Sequence, residues 1–322
     1  MNNQNRKRMI PAVIKQTLKM HPVIIVFLAL LVIFGSIYPG SFFSPINFKA
    51  ILRQFVTLTL FALGPSFVVL TGRLDLSYVG IWMLGGVLVW LFKPILGMFA
   101  IIMIPVVGIA TGLFIGVIQT KAKIPSFILT LSLLVTYTGL TALIAGGYPR
   151  AVGGYEFITA PLIPLIPTTF LLSIPIIVAA IFLMKCTRMC VYLNAIGSNE
   201  EGARLAGINV DKYKILAFTL SGIFTGIGAV VLFQHLGGSA QVELKLNNIV
   251  WPLVAIVLGG TPLTGGSGGP QRTLLGAITF TIFYRGLYLT PLHPTMITLL
   301  VGIVLIVSII VSARGLKGVT VT

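Results

Sequence analysis

Residues 97–119, 124–145 and 168–184 each run without a charged side chain. Stretches this long and apolar meet the roughly 20 residues needed to cross a bilayer's hydrocarbon core, whereas a water-soluble helix of the same length would carry a polar stripe. The constraint extends to the whole chain, in which 57% of the 322 residues are hydrophobic and 9% are charged, against about 25% charged in ordinary soluble domains. A water-soluble enzyme is excluded. The fold class is all-α and polytopic, with the chain embedded in lipid.

Ten apolar segments are separated by polar punctuation, at about 22–38, 51–70, 79–92, 97–119, 124–145, 168–185, 214–235, 248–259, 273–290 and 295–312. Segments 79–92 and 248–259 fall short of a span, which predicts either a polar half-turn that extends them or broken, re-entrant helices. Threading from a cytoplasmic N-terminal segment, 1–20, divides the 22 Lys and Arg residues into 16 inside and 6 outside, the six being Lys49, Arg53, Lys93, Arg150, Lys245 and Arg285. That division obeys the positive-inside rule and places both termini in the cytoplasm. It also accounts for the net charge of +16 without nucleic acid, since no basic run interleaved with aromatics lies outside the spans. No small-residue cleavage pattern follows the first span, which reads as a retained signal-anchor helix.

Cut near residue 150, the chain gives two halves, each with a span, a short segment beside a Gly-rich or polar turn, and a closing hairpin. An odd number of spans per half would make them inverted repeats. Cys186 and Cys190 are expected as free thiols on a helix face in a reducing compartment. The histidines, His21, His235 and His293, do not form a metal-ligand pattern, and the last two are placed as polar anchors near the outer rim. Catalytic chemistry lacks its inventory: there is no carboxylate pair and no histidine beside a nucleophile. Asp75 is the one acid close to membrane depth, and its expected role is to cap the start of segment 79–92.

Three of the six acids fall in the longest hydrophilic loop, 194–212. Ser198 or Asn199 can cap a helix there, Glu200 and Glu201 suit its positive first turn, and Gly207 suits its end, which predicts a short surface helix over about 199–206. Ala203, Leu205 and Ala206 would form a small apolar face, serving either to dock in a partner's groove or as part of a solvated connector. The glycine turn 259–269 lacks the Gly-Lys-Ser/Thr ending of a phosphate loop and reads as close helix packing or a tight turn.

Four strings give a resemblance. Ala195-Ile196-Gly197-x-Asn199-x-x-Gly202-Ala203-Arg204-Leu205-Ala206-Gly207-Ile208 resembles the coupling loop of permeases from ATP-binding-cassette (ABC) importers of the ribose, galactose, xylose and autoinducer-2 group. Leu70-Thr71-Gly72-x-Leu74-Asp75-Leu76-Ser77, Lys123-Ile124-Pro125-Ser126-Phe127-Ile128-x-Thr130-Leu131 and Val257-Leu258-Gly259-Gly260-Thr261-x-Leu263-x-Gly265-Gly266-x-Gly268 are similar to three further motifs of that group, in the right order across roughly 50–312.

The resemblance implies a permease subunit in the inner membrane, neither an enzyme nor a cofactor protein itself. Its partners would be a second permease subunit, a cytoplasmic ABC ATPase that binds ATP, an extracytoplasmic substrate-binding protein and membrane lipid, and its solute a monosaccharide or related small hydrophilic molecule. Nucleoside and branched-chain amino acid permeases are the alternatives within the superfamily, and an ion-coupled secondary transporter is the alternative outside it. Coupling falls to Glu200, Glu201, Arg204, Leu205 and Gly207, within a cytoplasmic loop spanning 186–213. Depth and side-chain type nominate Ser66, Thr71, Asp75, Ser77, Thr136, Thr219, Ser221 and Thr225 for a weakly binding translocation pathway. Two departures stand out. Arg73 replaces a small residue and is expected to pair with Asp75 or face lipid phosphates, and bulky Trp251-Pro252 stand where small residues are usual.

Overall fold

The computed structural model describes residues 22–155 and 162–317. The expected N-terminal segment 1–20, with its basic residues, and His21 lie outside the described residues. The chain order is α1 (Pro22–Ile37), the single turn α2 (Pro39–Phe42), α3 (Pro45–Leu70), α4 (Ser77–Leu96), a 3-10 turn (Gly97–Ile102), α5 (Met103–Ala122), α6 (Ser126–Ala145), β1 (Arg150–Ala151), α7 (Thr168–Cys186), α8 (Met189–Ser198), α9 (Glu200–Leu205), α10 (Val210–His235), β2 (Ser239–Ala240), α11 (Leu246–Leu258), α12 (Pro270–Tyr288) and α13 (Pro294–Lys317). The two-residue strands pair antiparallel, Arg150 with Ala240.

Each of the ten apolar segments becomes a helix: α1, α3, α4, α5, α6, α7, α10, α11, α12 and α13. Of the two short segments, only one stays short. Segment 79–92 extends to 20 residues as α4, because Ser77 and Tyr78 join its first turn and Lys93 its last, where a charged end reaches the interface. Helix α11 remains at 13 residues, about 20 Å at 1.5 Å per residue, short of the ~30 Å hydrocarbon thickness. Proline at the first position of α3 and α12 suits a site whose N–H has no intrahelical partner.

Glycine sets how closely the helices approach. A methyl group on Gly108 would overlap the Gly222 carbonyl, and one on Gly112 that of Phe218, so α5 and α10 lie backbone to backbone through small residues. The same applies between α11 and α12, where a methyl on Gly276 would overlap the Ala255 carbonyl. One buried cluster joins Phe61, Tyr78, Trp82 and Ile104 to Phe233 and Val242, fusing sequence from both sides of residue 150 into one core. Large apolar side chains remain exposed along α5, α6, α7 and α13, among them Leu113, Val135, Leu143, Phe182 and Ile306, as lipid-facing surfaces require.

The helix directions carry the described basic residues to two ends. Arg73, Lys121, Lys123, Lys185, Arg188, Arg204, Lys212, Lys214 and Arg272 share the end that holds α9, while Lys49, Arg53, Lys93, Arg150, Lys245 and Arg285 lie at the other. At that far end Arg285 donates to Asn47 Oδ1 at 2.8 and 3.1 Å.

Candidate functional site

Three turns interlock at the α9 end. The backbone N–H of Gly266, in turn 259–269, donates to the Leu70 carbonyl at 3.0 Å. Gly197, at the end of α8, presses on both: a Cβ there would overlap the Leu70 oxygen and the Gly266 nitrogen. Gly72 adopts φ +72°, and a Cβ on it would lie 2.8 Å from the Thr264 carbonyl. Side chains are excluded by space at these positions. The three turns belong to three of the four strings that carry the resemblance, so segments far apart in sequence meet at one junction.

Glu200 is the electrostatic hub of this junction. Its Oε2 accepts from Arg73 Nη2 at 2.7 Å and its Oε1 from Lys214 Nζ; Arg204 stands 3.9 Å away and is itself 3.0 Å from Asp211. Partial burial pushes the Glu200 carboxyl up, but the hydrogen bonds and charges of Lys214 and Arg73 outweigh it and hold it below its ordinary value. Arg73 therefore pairs with Glu200 and not with Asp75, one of the two partners the sequence suggested, because the fold brings α9 across 127 positions of sequence to meet it.

Asp75 is buried and accepts at one oxygen from the Ser77 N–H (2.9 Å) and hydroxyl (2.6 Å), and at the other from Ser221 Oγ of α10 (2.6 Å). The carboxylate serves the start of α4 at Ser77, two residues ahead of the expected boundary, and adds a tie to α10.

The expected surface helix is the six-residue α9, preceded by α8, which hydropathy alone does not reveal. Asn199 caps it by accepting from the Gly202 N–H at 2.9 Å, and Gly207 leaves it at φ +81°, a left-handed geometry that favours glycine. Its apolar residues divide. Ala203 packs inward on Ile196 and Val210, while Leu205 is 90% exposed. Glu201 and Arg204 also face outward, and Glu200 turns inward to Arg73 and Lys214.

At the opposite end lies a cavity of about 410 Å³ between α3, α4, α10 and α11. Helix α3 contributes Ala50, Arg53, Gln54, Thr57, Leu58 and Phe61, a single face by its three- and four-residue spacing. Trp82, Leu232, His235, Leu236, Gln241, Asn247, Asn248 and Trp251 complete most of the wall. His235 bridges Thr57 Oγ1 at 3.2 Å and Thr169 Oγ1 at 3.4 Å, while the exposed His293 lies 3.0 Å from Thr295 Oγ1 at the start of α13.

None of the eight residues nominated for the pathway lines this cavity. Ser66, Thr71 and Thr219 bond carbonyls of their own helices, and Thr136 does so on an exposed face. Ser77 and Ser221 are held by Asp75, and buried Thr225 has no hydrogen-bond partner. The available signal for the cavity is the set of polar side chains Arg53, Gln54 and Thr57 at helical spacing inside the apolar segment 51–70. Among the described residues no three His, Cys, Asp or Glu side chains gather as metal ligands, and Cys186 and Cys190 are free.

A lipid-facing helical bundle with a polar-and-aromatic cavity at one end and charged, interlocked turns at the other defines a membrane permease. The chain belongs to the family described as branched-chain amino acid transport system / permease component, which it matches over residues 47–309. It is similar to the ribose import permease protein RbsC of Haemophilus influenzae, 33% identical over 78% of this chain and 81% of that one. RbsC of Escherichia coli K12 is 30% identical over 90% and 92% of the two chains, and the fructose import permease protein FrcC of Rhizobium meliloti is 27% identical over 89% and 83%. No solved structure gives a significant match.

Proposed function

We propose that this chain is the permease subunit of an ABC importer for a monosaccharide or related small hydrophilic solute. It works as a homo- or heterodimeric pair with a cytoplasmic ATPase and an extracytoplasmic binding protein. In this reading the α9 end faces the cytoplasm, the cavity opens toward the binding protein, and ATP binds only to the partner ATPase. The import permeases to which the chain is similar support the solute class. The charge division supports the orientation.

One observation carries the mechanism: α3, α4 and α11, whose ends adjoin the interlocked turns, and α10, tied to the junction through Lys214, are the elements that wall the cavity. The ATPase grips the outward face of α9, with Leu205 as its apolar anchor. Movement of α9 passes through Glu200 to Arg73, beyond the end of α3, and to Lys214, in the first turns of α10. It passes through Gly197 to turn 259–269 and so to α11. Rigid helices carry the displacement to the cavity walls, which open or close around the solute. The sequence supplies no ionisable chain for ion coupling, and an external motor meets that need.

Replacing Leu205 with Asp tests this reading. The folded state loses nothing, since the side chain is 90% exposed, yet the variant should fail to retain the ATPase on purification and should not support uptake. Wild-type association and uptake by Leu205→Asp would refute a docking role for α9.

A further inference from the structure

We infer that the cavity is a binding seat for the ring of a neutral monosaccharide, and that Trp251 sets its specificity. This rests on the proposed transport of such solutes and goes beyond it, because a pore served by a binding protein needs no affinity of its own. The lining points elsewhere. Phe61 and Trp82 are buried at its floor, with their rings edge to face at 6.2 Å, and Trp251 stands in the wall. A sugar ring offers an apolar face of C–H groups and an edge of hydroxyls. The first calls for aromatic surface, and the second for groups that both donate and accept hydrogen bonds.

Carboxamides are such groups, and the cavity has four, from Gln54, Gln241, Asn247 and Asn248. Gln241 donates to Ser239 Oγ at 3.1 Å. Gln54 Nε2 is buried with no partner, a donor whose desolvation costs free energy until a ligand meets it. The charged lining residues Arg53, Glu243 and Lys245 are exposed at the rim, so the depth of the cavity presents neutral polar groups. Its volume falls in the range of about 300–1,000 Å³ common for small-molecule sites.

Trp251 is held in place rather than loose. Its ring lies 4.5 Å from that of Tyr284 and 5.8 Å from that of Phe280, on α12. Its bulk therefore shapes the wall in this chain and gives the C–H face of a ring a surface to lie against.

The test is saturation-transfer NMR on the purified full-length permease in lipid nanodiscs, with D-ribose, D-xylose, D-galactose and D-fructose as probes. Mannitol serves as an acyclic polyol without a rigid C–H face. At least one cyclic sugar should receive saturation through its ring C–H protons, and mannitol should not. Trp251→Ala should weaken that signal about three- to tenfold, the range expected for an aromatic contact, and Trp251→Phe should retain most of it. Asn248→Leu, a milder change, should also weaken it, which keeps the test decisive if Trp251→Ala misfolds.

No saturation of any sugar, equal saturation of mannitol, or indifference to both Trp251→Ala and Asn248→Leu would overturn the inference. Uptake by the complete importer separates the two readings. If uptake of a sugar proceeds while the permease alone shows no binding, the seat falls and the transport function stands. If neither is seen, both fall.

Discussion

Adding one methyl group at Gly197 should uncouple the two ends of the molecule. The new Cβ would overlap the Leu70 carbonyl and the Gly266 amide, both backbone groups that cannot swing aside. Two outcomes are open to the chain. It can absorb the overlap as strain, at about 1–3 kcal/mol for overpacking, and it can part the Gly266 N–H from Leu70, losing about 0.5–1.5 kcal/mol of net hydrogen bonding. Together these amount to about 1.5–4.5 kcal/mol, a factor of about 10 to 1,600 against the closed junction at 1.4 kcal/mol per decade. Gly139→Ala is the control, since nothing lies within 4 Å of its added carbon and alanine suits a helix interior. In proteoliposomes containing the complete importer, Gly197→Ala should cut uptake at least tenfold, with ATP hydrolysis no longer tied to solute. Its unfolding temperature should fall by several degrees. Gly139→Ala should match the unmodified chain. If Gly197→Ala behaves like Gly139→Ala in both assays, the interlocked turns do not transmit force.

The two partners of the Arg73 and Glu200 ion pair should prove unequal. Glu200→Gln leaves Arg73 and Lys214, 17% and 8% exposed, without a counter-charge, at about 1–3 kcal/mol once the 37% exposure of Glu200 is discounted. Arg73→Gln leaves Glu200 paired with Lys214 and should cost less; the reverse order in thermal unfolding would remove Glu200 from the hub. The acid response follows from the same pair. A carboxyl depressed in the fold stabilises it above the unfolded value, about 4.5, and the contribution fades as pH drops through the lower folded value. Amide exchange of 199–207, corrected for intrinsic rates, should therefore hold steady from pH 7 to 5 and rise only below about 4.5; a rise between 7 and 5 would contradict the assignment.

Hydropathy locates every long helix, because a bilayer imposes on each span a demand that can be met residue by residue. It fails where local polarity and tertiary setting disagree. Segment 79–92 reads as truncated since Ser77 and Lys93 are polar, yet Ser77 is bound to Asp75 inside the fold and Lys93 sits at a helix end. Helix α8 is missed because its ten residues are too few for a span, so its apolar Met189, Val191, Leu193 and Ile196 read as part of the loop. The α9 helix is legible from its cap and terminator, both local signals. The partner of Arg73 is not, being set by packing at long range. The cavity is hidden for the same reason: four helices contribute its wall, and of the Ser and Thr side chains that suit a pore by type, Ser66, Thr71, Thr136 and Thr219 bond their own backbones while Ser77 and Ser221 are held by Asp75.

The shortness of α11 bears on how little the protein has to move. The cavity face of α3 from Ala50 to Phe61 is about 17 Å deep at 1.5 Å per residue, more than half of a ~30 Å hydrocarbon slab. On the other side α11 ends early, and the glycine turn replaces what a full span would have filled. In the proposed transport role, a solute resting on the cavity floor would have only about a dozen ångströms of slab left to cross. A seal that thin would open with a short stroke of a few helices, and a short stroke is all that the six-residue α9, in its proposed coupling role, would deliver.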